Sequence, residues 1–207
     1  MFGKPALTGA AVFVLSVLAA SACSKSQTKT TIPAAWQNPE YTGDPFSKLF
    51  VVGVGRNGAY RRLYEDNMVR ALEGQGAMAQ ASWVVFPENG KLDAAKLARA
   101  IVDGNFDAVV ITRLLSVDEE VEYVPARPAT SSDLYMSGYD EAYAVNSDPA
   151  HFTTHTTYRV ETALYSARDG IVVWLAHSDT VNPHSVEDVI QSVISSVAKK
   201  MKSDGFI

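Results

Sequence analysis

The sequence predicts an α/β (α+β) protein in which about three helices pack on one mixed β-sheet as a two-layer sandwich, in the order β-α-β-α-β-β-β-α. In the first half, short apolar runs alternate with segments of helical periodicity. The second half holds a strand–turn–strand pattern followed by one amphipathic helix. The length of 207 residues, with 47% apolar and 20% charged residues, is typical of an ordinary globular chain.

The first unit is a strand followed by a helix. Residues 48–52 form a continuous apolar run ending at Gly53, as expected of a strand covered on both faces. A helix is predicted from about residue 59 to 75, with Gly76 as its stop. Its apolar stripe comprises Tyr60, Leu63, Tyr64, Met68, Ala71 and Leu72.

The second unit repeats this arrangement and leads into a long strand. Residues 78–86 form a predicted strand closed by Pro87, and residues 94–102 a helix with Asp93 as N-cap. Residues 107–124 begin apolar and then become acidic, so we expect a strand whose far half leaves the core. The acidic residues are Asp118, Glu119, Glu120 and Glu122, and we interpret them as a solvated strand end.

The last unit is a hairpin and a helix. Strands are predicted over 153–167 and 171–181, with Asp169-Gly170 between them as a type I′ turn. The helix runs from about 186 to 202, with Ser185 as N-cap. Its buried stripe comprises Val186, Val189, Ile190, Val193, Ile194, Val197 and Met201.

One long stretch, residues 125–149, fits no strand or helix of this plan, and loops of this length are functional or disordered. Tyrosines recur there every four residues, with two apolar neighbours. The set is Leu134, Tyr135, Met136, Tyr139 and Tyr143. One interpretation is a short helix that covers an edge of the sheet. The other is a partner-binding loop, because tyrosine and methionine are enriched in interface cores.

The N-terminus has the pattern of a lipoprotein signal peptide over residues 1–22. Lys4 precedes an apolar run that is too short to span a bilayer as a helix, and small residues stand directly before Cys23. This resembles the lipobox of bacterial lipoproteins, which implies a diacylglycerol and an N-linked acyl chain such as palmitate on Cys23. Ser24, where inner-membrane retention would favour Asp, implies the periplasmic side of an outer membrane if the source has two membranes. The alternative is a chance cysteine near an ordinary cleavage site.

Residues 23–47 are predicted to be the lipidated cysteine and a flexible tether, because they are polar and interrupted by proline. Residues 48–207 are then one domain. Processing would remove Lys4 and change the formal charge from −5 to −6, which argues against a nucleic-acid partner held by a basic surface. A single cysteine excludes an intramolecular disulfide and a zinc site with two thiolates.

A G-x-G-x-x-G pattern lies between the first strand and helix, formed by Gly53, Gly55 and Gly58. The second strand lacks the acidic residue that a dinucleotide ribose needs, so we interpret the pattern as a tight turn. The alternative is an anion site on these amides with Arg56 beside them.

Histidines offer the remaining candidate site. His151 and His155 share one face of a predicted strand, and the assumed hairpin register places His155 near His184. These three residues could bind a divalent metal, although solvated or capping histidines are the commoner case. On the first helix, Arg61–Glu65 and Arg62–Asp66 are expected to pair on an exposed face. No nucleophile motif is present, and we expect no enzymatic activity and no cofactor.

Taken together, these features resemble a broad group of uncharacterised bacterial envelope lipoproteins. The resemblance rests on the lipobox, the tether, residues 50–54 with the following Gly-Arg-Asn turn, the Arg62-x-x-Glu65-Asp66 helix, residues 165–174 and the C-terminal helix. The α/β plan looks like that of the curli-secretion lipoprotein and of lipoprotein activators of penicillin-binding proteins. It implies a non-enzymatic envelope role without a transferable site.

The resulting hypothesis is a membrane-anchored module that binds another envelope protein, or itself, through residues 125–149 and the nearby sheet edge. The alternative is a small-ligand or metal-binding periplasmic domain.

Overall fold

The computed structural model describes residues 28–88, 90–125, 139 and 150–207. Six strands form one mixed sheet in the order β1-β6-β5-β4-β2-β3. The strands are β1 (Thr30–Gln37), β2 (Lys48–Val54), β3 (Met78–Ala81), β4 (Ala108–Val124), β5 (His151–Ser166) and β6 (Val172–Val181), and the helices are α1 (Gly58–Glu73), α2 (Ala94–Asp103) and α3 (Val186–Ser203). The predicted fold class is confirmed: the described ranges hold a mixed sheet with three helices, in the predicted order apart from one added strand.

The added strand is β1, which lies within the predicted tether. It pairs antiparallel with β6, from Thr30 opposite Thr180 to Gln37 opposite Trp174. Thr30 is buried, and its hydroxyl contacts those of Thr180 (2.6 Å) and Ser192 (2.8 Å). Residues 30–37 of the predicted tether are therefore part of the sheet, and the Thr30 and Thr31 hydroxyls are hydrogen-bonded to β6 and α3.

The main core lies between the sheet and the helices α1 and α3. Its fully buried members include Leu49, Val110, Leu164 and Trp174 from four strands. The opposite, open face of the sheet is covered at one end by α2. There, Leu97 and Ile101 pack on a second cluster, made of Phe50, Val52, Phe106 and Val109.

Helix α1 buries an ion pair. Glu65 is fully buried, and its Oε1 accepts hydrogen bonds from Arg61 Nε (2.9 Å) and the Gly53 amide (2.9 Å). Its Oε2 accepts one from the Trp83 amide at 2.8 Å. The prediction that Arg61 and Glu65 pair on an exposed face is wrong, because this carboxylate satisfies groups from three chain segments.

The segment after β3 is also tied to Glu65. The predicted strand over 78–86 ends at Ala81, and Ser82–Val84 form a 3₁₀ turn. The Ser82 hydroxyl donates to Glu65 Oε1 at 2.8 Å and accepts from Arg61 Nη2 at 2.9 Å. The 3₁₀ turn directs the Ser82 hydroxyl and the Trp83 amide toward the Glu65 carboxylate, and β3 ends where this turn begins.

The hairpin between β5 and β6 has a wider turn than predicted. The Ser166 amide donates to the Ile171 carbonyl, and the Gly170 amide donates to the Ser166 carbonyl. Only Gly170 of the predicted pair has a positive φ, 71°, whereas a type I′ turn requires two such residues. The pairing also shifts between Leu164 and Tyr165, so the register differs from the predicted one by one residue.

Candidate functional site

Strands β4 and β5 extend beyond their neighbours as a two-stranded arm, defined here as residues 118–124 and 151–157. Strand β2 last pairs with β4 at Arg113, and β6 last pairs with β5 at Thr157. Past these points, within the described residues, β4 and β5 form ladder pairs only with each other, from Glu119 opposite Thr156 to Val124 opposite His151. At about 3.3 Å per residue the arm is about 20 Å long. In the sequence, residues 125–149 connect its two strands.

The arm has two chemically different faces, because side chains alternate along each strand. One is the aromatic face, defined by Val121, Tyr123 and Phe152, which are 62%, 56% and 72% exposed; Glu119 shares this face at the end nearest the base of the arm. The rings of Tyr123 and Phe152 lie 5.4 Å apart. The other is the acidic face, which comprises Asp118, Glu120 and Glu122. Two-stranded ribbons are marginally stable alone in water, so an arm with three exposed apolar side chains is a surface suited to a partner.

Charged side chains brace the arm's base on the open face of the sheet. Arg159 Nε donates to Asp179 Oδ1 at 3.0 Å, and Arg159 Nη1 lies 3.9 Å from Asp118 Oδ2. One row further in, Arg113 Nε donates to Glu161 Oε1 at 2.7 Å. That hydrogen bond lowers the pKa of the Glu161 carboxyl, against the opposing effect of its partial burial. These rows link β4, β5 and β6 where the arm begins.

His151 and His155, two of the three candidate metal-binding histidines, lie four residues apart on β5. His155 Nε2 lies 3.3 Å from Glu122 Oε2, and its Nδ1 accepts from Asn182 Nδ2 at 2.8 Å. The side chain that contacts His155 across the hairpin is thus Asn182 rather than the predicted His184. In the observed register Val181 lies opposite Thr157, and Asn182 hydrogen-bonds the Thr156 backbone next to His155. His151 lies at the tip, opposite Val124. Within the described residues, no three His, Cys, Asp or Glu side chains converge as metal ligands.

In and just after the glycine-rich turn, backbone amides are hydrogen-bonded to side chains of the protein itself. The Gly53 amide donates to Glu65, and Asn57 Oδ1 accepts from the amides of Ala59 (2.9 Å) and Tyr60 (3.3 Å). A Cβ on Gly53 would meet the Tyr64 ring at 3.1 Å. At Gly53 the predicted anion would have to replace a buried carboxylate. Of the other residues in that prediction, Gly55 and Arg56 are exposed, and Gly58 begins α1.

Several predicted site residues lie outside the described part of the chain. They are Cys23, Leu134, Tyr135, Met136 and Tyr143. Tyr139 is described as a helical residue, 63% exposed. The acidic composition of residues 118–122 predicted that the far half of β4 leaves the core, but the aromatic face was not predicted. The signal for it was the spacing of Val121 and Tyr123 between acidic residues, together with Phe152 at the start of β5.

No helix in the described ranges is long and apolar enough to cross a membrane. No protein-family model matches the chain, and no curated protein matches it either.

Among solved structures, the chain is similar to a PelC dodecamer from Paraburkholderia phytofirmans, with 15% identity, a TM-score of 0.46 and coverage of 84% of this chain and 97% of that one. It is also similar to lipoprotein GNA1162 from Neisseria meningitidis, with 16% identity, a TM-score of 0.40 and coverage of 76% and 99%. At these identities and TM-scores the likeness assigns neither a family nor a function to the chain.

Proposed function

We propose that this chain is a lipid-anchored bacterial envelope protein that binds another envelope protein, or a second copy of itself, through the arm and residues 125–149, without catalysing a reaction. The arm is the observation that carries the proposal. It projects from a braced base and exposes apolar side chains that lie outside the main core, together with the acidic face. The pattern before Cys23 supports the lipid, and Ser24 supports the periplasmic side of an outer membrane.

The braced base makes the arm separable from the fold. The main core lies between the sheet and α1 and α3, and the arm's exposed residues Val121, Tyr123 and Phe152 lie outside it. Removing the segment beyond the arm therefore leaves the core contacts in place. This separation allows binding and folding to be tested independently.

Deleting residues 128–146 should abolish partner binding and preserve the fold. A photo-crosslinking amino acid at Glu120 on the acidic face should capture partners in the native envelope only when the segment is present. The matched control places it at Val102 on α2, which is 73% exposed and remote from the arm by topology. Unchanged crosslinks from Glu120 after the deletion, with the thermal midpoint preserved, would contradict the proposal.

Replacing Cys23 with serine should remove the anchor. The lipid has no other attachment point, because Cys23 is the only cysteine. We expect the Cys23→Ser protein to remain unprocessed or to leave the membrane fraction, as read by fractionation and intact mass. Normal processing and membrane retention of this variant would refute lipidation.

A further inference from the structure

The start of β1, which is the described strand nearest Cys23 in the sequence, and the arm lie at the same end of the sheet. Thr30 begins β1 and lies opposite Thr180 of β6, and Thr180 lies opposite Tyr158 of β5. Tyr158 directly precedes the base of the arm along the sheet, since Thr157 pairs with Asp118. The alignment of β1, β6 and β5 thus places the start of β1 and the base of the arm at the same end of the sheet.

The length of the N-terminal chain matches the length of the arm. The Thr28 carbonyl accepts a hydrogen bond from the Ser192 hydroxyl at 3.0 Å, which fixes the chain against α3. Only four residues lie between Cys23 and Thr28, so five residue steps connect them. Fully extended they span at most about 18 Å, whereas the arm extends about 20 Å. A lipid on Cys23 therefore holds the membrane within reach of the arm's tip.

The outer part of the arm has the chemistry of a membrane interface. Its aromatic face carries a tyrosine and a phenylalanine in contact, and aromatic side chains are favoured at the depth of lipid headgroups. The acidic face is on the other side of the ribbon, where it can stay in water, as the polar face of an interfacial helix does. Two-stranded ribbons twist strongly, and the bulge between Leu114 and Ser116 adds to the twist. Because of this twist, the aromatic face can be rotated relative to the face of the sheet that the helices cover.

We propose that the aromatic face, Val121, Tyr123 and Phe152, seats in the headgroup region of the membrane that holds the lipid on Cys23. This rests on the lipidation in the proposed function, and it leaves the acidic face and residues 125–149 for a protein partner at that membrane. A second copy is a poorer occupant of the aromatic face. Three side chains offer less than the roughly 800 Å² per partner of a stable interface.

Two neighbouring threonines provide a matched test. Thr154 shares the aromatic face, opposite Val121, and Thr153 lies on the acidic face, opposite Glu122. Full-length lipidated protein carrying Thr154→Cys or Thr153→Cys is labelled with an environment-sensitive fluorophore and reconstituted into phosphatidylethanolamine–phosphatidylglycerol vesicles. Quenching by iodide in the aqueous phase is compared with that of the same protein in detergent.

We expect iodide quenching at position 154 to fall about twofold on reconstitution, because the label enters the interface, and quenching at 153 to stay unchanged. The fall at 154 should persist when the protein-to-lipid ratio is lowered tenfold. Equal quenching at both positions, or protection that disappears on dilution, would overturn the proposal, the latter in favour of a second copy. Intact mass separates this outcome from a failure of lipidation, in which the protein would lack the lipid and would not float with the vesicles.

Discussion

At the residue scale, Glu65 does most to join separate parts of the chain. Its carboxylate receives hydrogen bonds from Arg61, the Gly53 amide, Ser82 and the Trp83 amide, which belong to α1, the end of β2 and the 3₁₀ turn. Arg61 is also buried, and its guanidinium donates to the Glu88 carbonyl at 2.8 Å. A buried charge of this kind is tolerated only with a complete set of partners.

Replacing Glu65 with alanine should therefore destabilise the protein by about 3–5 kcal/mol, because it leaves the Arg61 charge buried without its carboxylate. Urea unfolding measures the change. The control is Glu73→Ala on the same helix, at an exposed position, where the free energy of unfolding should change by no more than about 0.5 kcal/mol. Equal effects of the two substitutions would show that the buried network contributes little.

At the element scale, local signals predicted most of the fold. The N-caps Asp93 and Ser185 accept hydrogen bonds from the Lys96 and Asp188 amides as their positions indicated, because a cap depends only on residues within one turn. The buried stripe of α3 followed from its helical periodicity. These elements are determined by residues that are close together in the sequence, so sequence patterns predict them.

The elements that depend on distant residues could not be predicted in this way. Strand β1 is polar and contains Pro33, and it becomes a strand because β6 offers a free edge more than 130 residues later in the chain. The hairpin register depended on one irregularity between Leu164 and Tyr165, and Asn182 rather than His184 contacts His155. The aromatic face was hidden for the same reason, since Tyr123 and Phe152 meet only when β4 and β5 pair.

On the scale of the whole molecule, the residues that stabilise the fold are different from those proposed to bind. The C-terminal residues Phe206 and Ile207 are buried in the main core, and the Phe206 carbonyl accepts a hydrogen bond from the Phe46 amide at 2.8 Å. The aromatic residues of the arm lie at the other extreme of exposure. The same side-chain truncation should therefore have opposite consequences at the two sites.

Phe206→Ala should cost about 3–5 kcal/mol of unfolding free energy, as for a buried aromatic side chain, and should leave the arm's membrane contact intact in the molecules that fold. Phe152→Ala should cost about 1 kcal/mol or less, the contribution of its contact with Tyr123. It should nevertheless restore most of the iodide quenching of a label at position 154 on vesicles, because the arm loses its most exposed aromatic ring. Chemical denaturation and quenching of both variants measure the two effects. If Phe152→Ala unfolded the protein as readily as Phe206→Ala, the arm would be part of the core, and its role as a separate membrane-facing surface would have to be abandoned.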